Sequence, residues 1–221
     1  MPARAMPMKS LKRSGLGADV TVPTDNVYLT SPPASHVEDG AAELEVDVVV
    51  RAGDWEREPA DWSALADAAL SAAFSIALKD KAAVAIEGDG AGWGDAPPRQ
   101  GEVCVVLNDD DGVRALNRQW RAKDRPTNVL SFPAMGDAVP SDAMPWLLGD
   151  IVLALETVVR EAREQGKTVE AHFSHLLVHG MLHLLGFDHE TPRQAARMEP
   201  LEVAILATLG IADPYPQCDE G

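Results

Sequence analysis

The chain has 221 residues, enough for one well-packed domain and too few for two ordinary ones. Its 19 Lys and Arg stand against 35 Asp and Glu, a formal charge of -16, so the whole chain is not built to attract nucleic acid or an anionic membrane. Cys104, in an apolar run, and Cys218, near an acidic end, make no disulfide framework, the basic N-terminus lacks the apolar core of a signal peptide, and no stretch approaches a membrane span; a cytoplasmic protein is expected.

Residues 1–40 mix Pro, Gly, Ser and Asp without a sustained period and are expected to form a loosely ordered extension, with the domain spanning 44–215. The domain opens at LEVDVVV, 44–50, whose alternation and β-branching favour a strand. DWSALADAALSAAFSIAL, 61–78, begins with an Asp able to cap and continues as a helix, with Leu65, Ala68, Ala69, Ala72 and Phe74 broadly on one face. AAVAIEG, 82–88, reads as a strand, the Gly/Pro-rich 89–101 as a loop, and EVCVVLND as a strand over about 102–107.

DDGVRALNRQWR reads as an Asp-capped helix over about 111–121, and PTNVLSFP, 126–133, as a short strand whose flanking prolines put it at an edge or rim. MGDAVPSDAMPW reads as a mobile loop, GDIVLAL, 149–155, as a strand, and TVVREAREQG, 157–166, as a helix stopped by Gly166. Helices are expected over about 168–185 and 192–208. Strands and helices interleave without strict βαβ repetition, which predicts a single α/β or α+β domain with a small mixed sheet flanked by helices.

Five of the six histidines fall between 172 and 189. In a helix, His179 and His183 are one turn apart and project to the same side, so both rings can reach one ion at about 2.0–2.1 Å. Gly186 can end that helix in a left-handed conformation and turn the chain so that His189 approaches from another direction. The string H-x-x-x-H-x-x-G-x-x-H thus offers three nitrogen ligands and leaves tetrahedral zinc an open position, as a catalytic site requires. The spacing resembles that of metzincin proteases, but position 180 is Gly where those enzymes carry the Glu that activates water. His172 and His175, on earlier turns, are candidates for supporting the ligands or contacting RNA, with a semi-buried structural role as the alternative; Asp188 either orients an imidazole or shapes the turn.

Arg118, Arg121, Lys123 and Arg125 form the dense positive run of the acidic chain. Arg121, after Trp120 at a helix end, is the best candidate to hold a phosphodiester by paired hydrogen bonds, provided the fold brings it near His183. Asn128, Ser131 and Asp150 flank the same rim, as substrate-positioning or turn residues, and Trp120 and Phe132 are either core residues or platforms for unpaired bases.

WRAKDRPTNVLSFP at 120–133, LLGDIVLALETVVREAREQGKTVEAHFSHLLVHGMLHLLGFDHE at 147–190 and LEVAILATLGIADPY at 201–215 together resemble the YbeY family of bacterial endoribonucleases. The resemblance implies a single-strand-specific, metal-dependent endoribonuclease with one zinc ion per chain, active in 16S ribosomal RNA 3′-end maturation and ribosome quality control. It places the family's zinc histidines on His179, His183 and His189 and its functional arginine on Arg121, and it implies contact with the small ribosomal subunit, its proteins and a ribosome-assembly GTPase. Two departures stand out: Ala122 occupies a position where Gly is usual, and Pro200 falls in the last helix, where a break or kink is expected. Two other readings stay open, a ribosome-associated assembly factor with a mainly structural zinc and a zinc metalloprotease-like hydrolase.

Overall fold

The computed structural model describes residues 28–29, 42–84, 100–134 and 145–215. Among them the chain runs β1 (Tyr28–Leu29), β2 (Glu43–Val50), a 3-10 turn (Trp55–Arg57), α1 (Trp62–Val84), β3 (Gln100–Asn108), α2 (Asp110–Arg121), β4 (Val129–Pro133), β5 (Trp146–Ala154), α3 (Leu155–Glu164), α4 (Val169–Leu184) and α5 (Pro192–Thr208). No helix among these residues is long and apolar enough to cross a membrane.

The strands form one sheet in the order β1-β2-β3-β5-β4. Its inner strands β2, β3 and β5 are parallel, and each edge strand is antiparallel to its neighbour. Parallel neighbours need a crossover, supplied by α1 between β2 and β3 and by α2 with β4 between β3 and β5. The expected mixed sheet flanked by helices is therefore the observed one. β4 lies at the edge and ends on Pro133, a residue with no N–H to offer a further strand.

Side chains alternate across the sheet, which separates two cores. Val103, Val105, Leu107, Ile151 and Leu153 face α1, α4 and α5, while Val152, Ala154 and Leu130 face Val113 of α2. Burying each of these Val, Leu and Ile side chains contributes about 1.5–3 kcal/mol, so the larger core, on the α4 side, carries most of the hydrophobic stabilisation.

Three expectations are corrected. The buried face of α1 is Trp62, Ala66, Ala69, Leu70, Ala73, Phe74, Ala77 and Leu78, with Ala68 exposed and Leu65 and Ala72 only partly covered. Residues 82–84, read as the start of a strand, continue α1, because an alanine-rich stretch propagates a helix already nucleated and packed. α5 runs unbroken through Pro200: the ring is exposed, and the flanking turns are held by a Thr191–Gln194 capping box and by burial of Met198, Ile205 and Leu206. The remainder of the 82–88 strand, most of the 89–101 loop, residues 135–144 and the N-terminal extension apart from β1 lie outside the described residues. Within that extension, Tyr28 and Leu29 pair with Val49 and Val48 of β2.

The local rules hold at the other helix ends. Asp109 caps α2 by accepting from Gly112 N at 2.8 Å, and Thr168 caps α4 by accepting from Ala171 N at 3.1 Å. Gly166 has φ +65 after α3, the left-handed turn that glycine accepts without a Cβ penalty.

Candidate metal centre

α4 is a core helix with one open stripe. Between 172 and 185 every residue is buried except His175, His179 and His183, which recur every fourth position and so lie along one side. Phe173, Leu176, Leu177, Met181 and Leu182 anchor the rest of the helix in the larger core. Helix packing therefore fixes where these histidines point.

The helix ends in a paired-hydrogen-bond turn. Gly186 takes φ +80, its N–H donates to His183 O at 2.9 Å, and Phe187 N–H reaches back to Leu182 O at 2.9 Å, the Schellman pattern. This turn brings His189 back onto the helix: the ring centroids of His189 lie 5.2 Å from His179 and 5.1 Å from His183. One ligand atom from each of His179, His183 and His189 lies within 4.8 Å of the others. The structure thus brings together the three histidines that the sequence singles out.

Hydrogen bonding fixes which nitrogens are bare. His183 Nδ1 lies 3.1 Å from Phe187 O, and a carbonyl can only accept, so Nδ1 carries the proton and Nε2 holds a lone pair. His179 Nδ1 faces the Glu202 carboxylate at 3.3 Å, which favours the same tautomer. The two Nε2 atoms then face each other 3.1 Å apart. Two neutral lone pairs at that distance repel, whereas two imidazoles sharing a tetrahedral zinc place their nitrogens about 3.3 Å apart. His189 Nε2 is buried and has no hydrogen-bond partner among the described residues. The donor set therefore fits a divalent cation with nitrogen ligands and a vacant fourth position.

Electrostatics disfavour the charged form of His183 and His189, as ligation requires. Burial, and then repulsion from His179 and His189, pulls His183 down to about 3; burial followed by His179 also lowers His189. No hydrogen bond or ion pair joins the Asp188 carboxylate to an imidazole among the described residues. That carboxylate accepts the His189 backbone N–H at 2.8 Å and shapes the turn.

Gly180 faces the sheet. A Cβ there would meet Ile151 Cγ2 and Ser131 Oγ, each at 3.0 Å, so β4 and β5 sit where a side chain would go. The glutamate of a metzincin protease has no room at this position, and the peptidase reading loses its general base on steric as well as chemical grounds.

Arg121 ends α2 beside the β4 edge. Its guanidinium is half-buried, burial lowers its pKa, and its buried Nε has no hydrogen-bond partner. Trp120 packs edge-on against Phe132 of β4 at 6.2 Å yet remains 46% exposed, so it is not the core residue its apolar character suggests. Ser131, the neighbour of Phe132, points to the opposite face and touches the Gly180 position beside His179. β4 is thus the element shared by the basic segment and the histidines. No hydrogen bond or ion pair joins Arg121 to them among the described residues. Arg114 forks onto Asp124 at 2.8 and 3.1 Å, which neutralises the one carboxylate lying between Lys123 and Arg125.

The other rim candidates separate. Asn128 is committed to structure: its Nδ2 donates to Glu161 at 2.8 Å and its Oδ1 accepts from Val129 N at 2.7 Å. Asp150 pairs in register with Phe132, on the sheet face away from α4, so it does not reach the histidines. His172 is buried, with Nε2 3.1 Å from Glu161, and is a structural histidine.

Glu202 of α5 and Tyr215 were not foreseen from the sequence. Glu202 is 0% exposed, with Oε1 3.0 Å from His175 Nε2 and 3.3 Å from His179 Nδ1, and its Oε2 accepts from the Tyr215 hydroxyl. The available signal was a glutamate sharing a helix face with Met198, Ile205 and Leu206, where an apolar residue is the rule.

The family model described as Endoribonuclease YbeY matches residues 90–210. A protein of Rhodopseudomonas palustris (strain HaA2), named Endoribonuclease YbeY, is 55% identical over 130 residues, covering 57% of this chain and 67% of its own length. A protein of the same name from Azorhizobium caulinodans is 46% identical over 178 residues, 80% of this chain and 100% of its own. The solution structure of a Thermotoga maritima protein overlays with a TM-score of 0.41 at 20% identity, over 80% of this chain and 99% of that one.

Proposed function

This chain belongs to the YbeY endoribonuclease family, and on that premise we propose that His179, His183 and His189 hold one zinc ion at the centre of a single-strand-specific endoribonuclease. The observation that carries the reading is the pair of Nε2 atoms of His179 and His183 facing each other at 3.1 Å, with a ring nitrogen of His189 within 4.8 Å of a ring nitrogen of each. Three neutral imidazoles with an open fourth position favour zinc over the oxygen-seeking magnesium and calcium. When bound, zinc supplies Lewis-acid chemistry toward a phosphodiester.

The remaining work falls to the chain's own groups. Arg121, half-buried and without a carboxylate partner among the described residues, is placed to receive a phosphate and to offset the charge that accumulates during cleavage. Exposed Trp120 offers a face on which an unpaired base can stack, which favours single strands over duplex. The biological substrate in this reading is 16S ribosomal RNA near its 3′ end, in the cytoplasm, with roles in maturation and ribosome quality control. A chain of net charge -16 binds naked RNA weakly, so the small ribosomal subunit, its proteins and a ribosome-assembly GTPase are the partners that present the strand.

Labelled single-stranded RNA tests the reading. The parent protein cleaves it and spares a duplex of the same sequence; His183→Ala and Arg121→Ala each lose about 100-fold or more in rate, and Arg121→Ala keeps its metal. Unchanged cleavage in both variants overturns the assignment.

A further inference from the structure

We propose that Glu202 is a positioning residue for the metal centre, holding the His179 ring so that Nε2 faces the ion, and that Tyr215 holds Glu202 in turn. The inference rests on the three-histidine reading above and adds a relay to it, Tyr215 to Glu202 to His179.

Geometry supports each link. Glu202 Oε1 lies 3.3 Å from Nδ1 of His179, the nitrogen on the far side of the ring from the one facing His183. An anion there selects the Nδ1–H tautomer and opposes the ring flip that would exchange the two nitrogens. Oε1 also lies 3.0 Å from His175 Nε2, yet it makes no well-aligned hydrogen bond to either ring. A buried carboxylate left in that condition is costly, and a small rotation of His179 onto a cation would align the bond. Oε2 is held by the Tyr215 hydroxyl, and Tyr215 is in turn set by its backbone N–H, which donates to Asp213 at 2.8 Å.

Charge bookkeeping agrees. Three neutral imidazoles leave a dication uncompensated in a partly buried site, and Glu202 is the carboxylate in contact with a ligand ring. Burial, followed by the charge of Glu202, raises the Tyr215 phenol, so it stays protonated as a donor.

The test is metal binding by the full-length chain. Metal-free parent, Glu202→Gln, Tyr215→Phe and His183→Ala proteins are titrated with Zn2+ against a chromophoric chelator, and the visible spectrum of each Co2+-substituted protein is recorded. Glu202→Gln keeps the shape and removes the charge; its affinity is expected to fall about 10- to 100-fold, with a shifted cobalt band and a metal-free melting temperature near the parent's. Tyr215→Phe is expected to weaken binding less, in the same direction. Parental affinity and spectrum in Glu202→Gln overturn the proposal; if that variant does not fold, parental binding by Tyr215→Phe overturns it instead. A parent that binds no metal, or a His183→Ala variant that binds as tightly as the parent, overturns the three-histidine reading itself, an outcome distinct from the failure of the relay alone.

Discussion

His172 and His183 lie near opposite ends of α4, and their rings meet opposite chemistry. His172 is 2% exposed and faces Glu161, which Asn128 also holds, so an acid, a base and an amide close on one another. His183 faces His179, base against base, with its other nitrogen tied to a backbone carbonyl. Both rings ride on the same helix, so residue type and helical spacing do not separate them. His172 has one nitrogen answered by a carboxylate within the protein while its buried Nδ1 makes no hydrogen bond among the described residues, whereas His179 and His183 turn their nitrogens on each other and leave lone pairs that only a cation or a proton can reconcile.

Alanine at the two positions breaks this contrast in opposite directions. His183→Ala is expected to reduce metal affinity by more than about 100-fold, beyond the 10- to 100-fold typical of a residue that only supports a ligand, while the metal-free melting temperature stays near the parent's. Inductively coupled plasma analysis and thermal melts read both. His172→Ala is expected to cost about 1–3 kcal/mol in urea unfolding, because Glu161 loses its buried partner, with metal affinity unchanged. A loss of metal in His172→Ala would erase the distinction between the two ends.

Gly180 lies on the face of α4 that both groups depend on. Glycine to alanine in a helix ordinarily gains about 1 kcal/mol, but here the added Cβ meets Ile151 and Ser131 at 3.0 Å. Overpacking of about 1–3 kcal/mol is expected to outweigh the gain, so urea unfolding of Gly180→Ala should show a net loss. A more stable variant would mean that β4 and β5 can retreat from the helix.

The Glu161 end also carries its own acid sensitivity. Burial alone would raise the Glu161 carboxyl; hydrogen bonds from His172 and Asn128, with the charges of His172 and Arg160, outweigh it and hold the group below its ordinary 4.5. A carboxyl depressed by folding contributes stability that is full above the unfolded value and lost as pH falls through the folded one. The urea midpoint is therefore expected to drop below pH 4.5, and Glu161→Gln to flatten that drop without altering metal affinity at neutral pH.

The smallest effect lies outside both groups. Ala122, the cap after Arg121, has φ 54 and is the non-glycine residue with positive φ among those described. A left-handed conformation costs an L-residue about 1–2 kcal/mol, part of which glycine returns through its looser unfolded chain. Ala122→Gly is expected to stabilise the fold by about 1 kcal/mol, read as a raised urea midpoint, while leaving metal affinity untouched.

The convergence of His179, His183 and His189 was legible in the sequence because all its determinants are local: one helical turn, one glycine and three more residues. The mixed sheet was legible too, since β-branched runs separated by capped helices admit few arrangements. The alanine-rich end of α1 misled because a short apolar run fits either a strand or a buried helix until its packing is known. Pro200 misled because an exposed ring sacrifices one hydrogen bond of a helix that tertiary contacts hold on both sides. Glu202 and Tyr215 stayed hidden because their meeting with His179 joins α4, α5 and the tail, a relation no local period encodes.

Because α4 between 172 and 185 is buried on every side but its histidine stripe, His179 and His183 keep their spacing for as long as the helix stays packed. The disorder surrendered in gathering them is thus surrendered when the polypeptide first collapses, long before any ion arrives. A metal bound there, as proposed above, would dock onto a site the fold has already assembled, in contrast to small zinc domains whose fold and ion appear together.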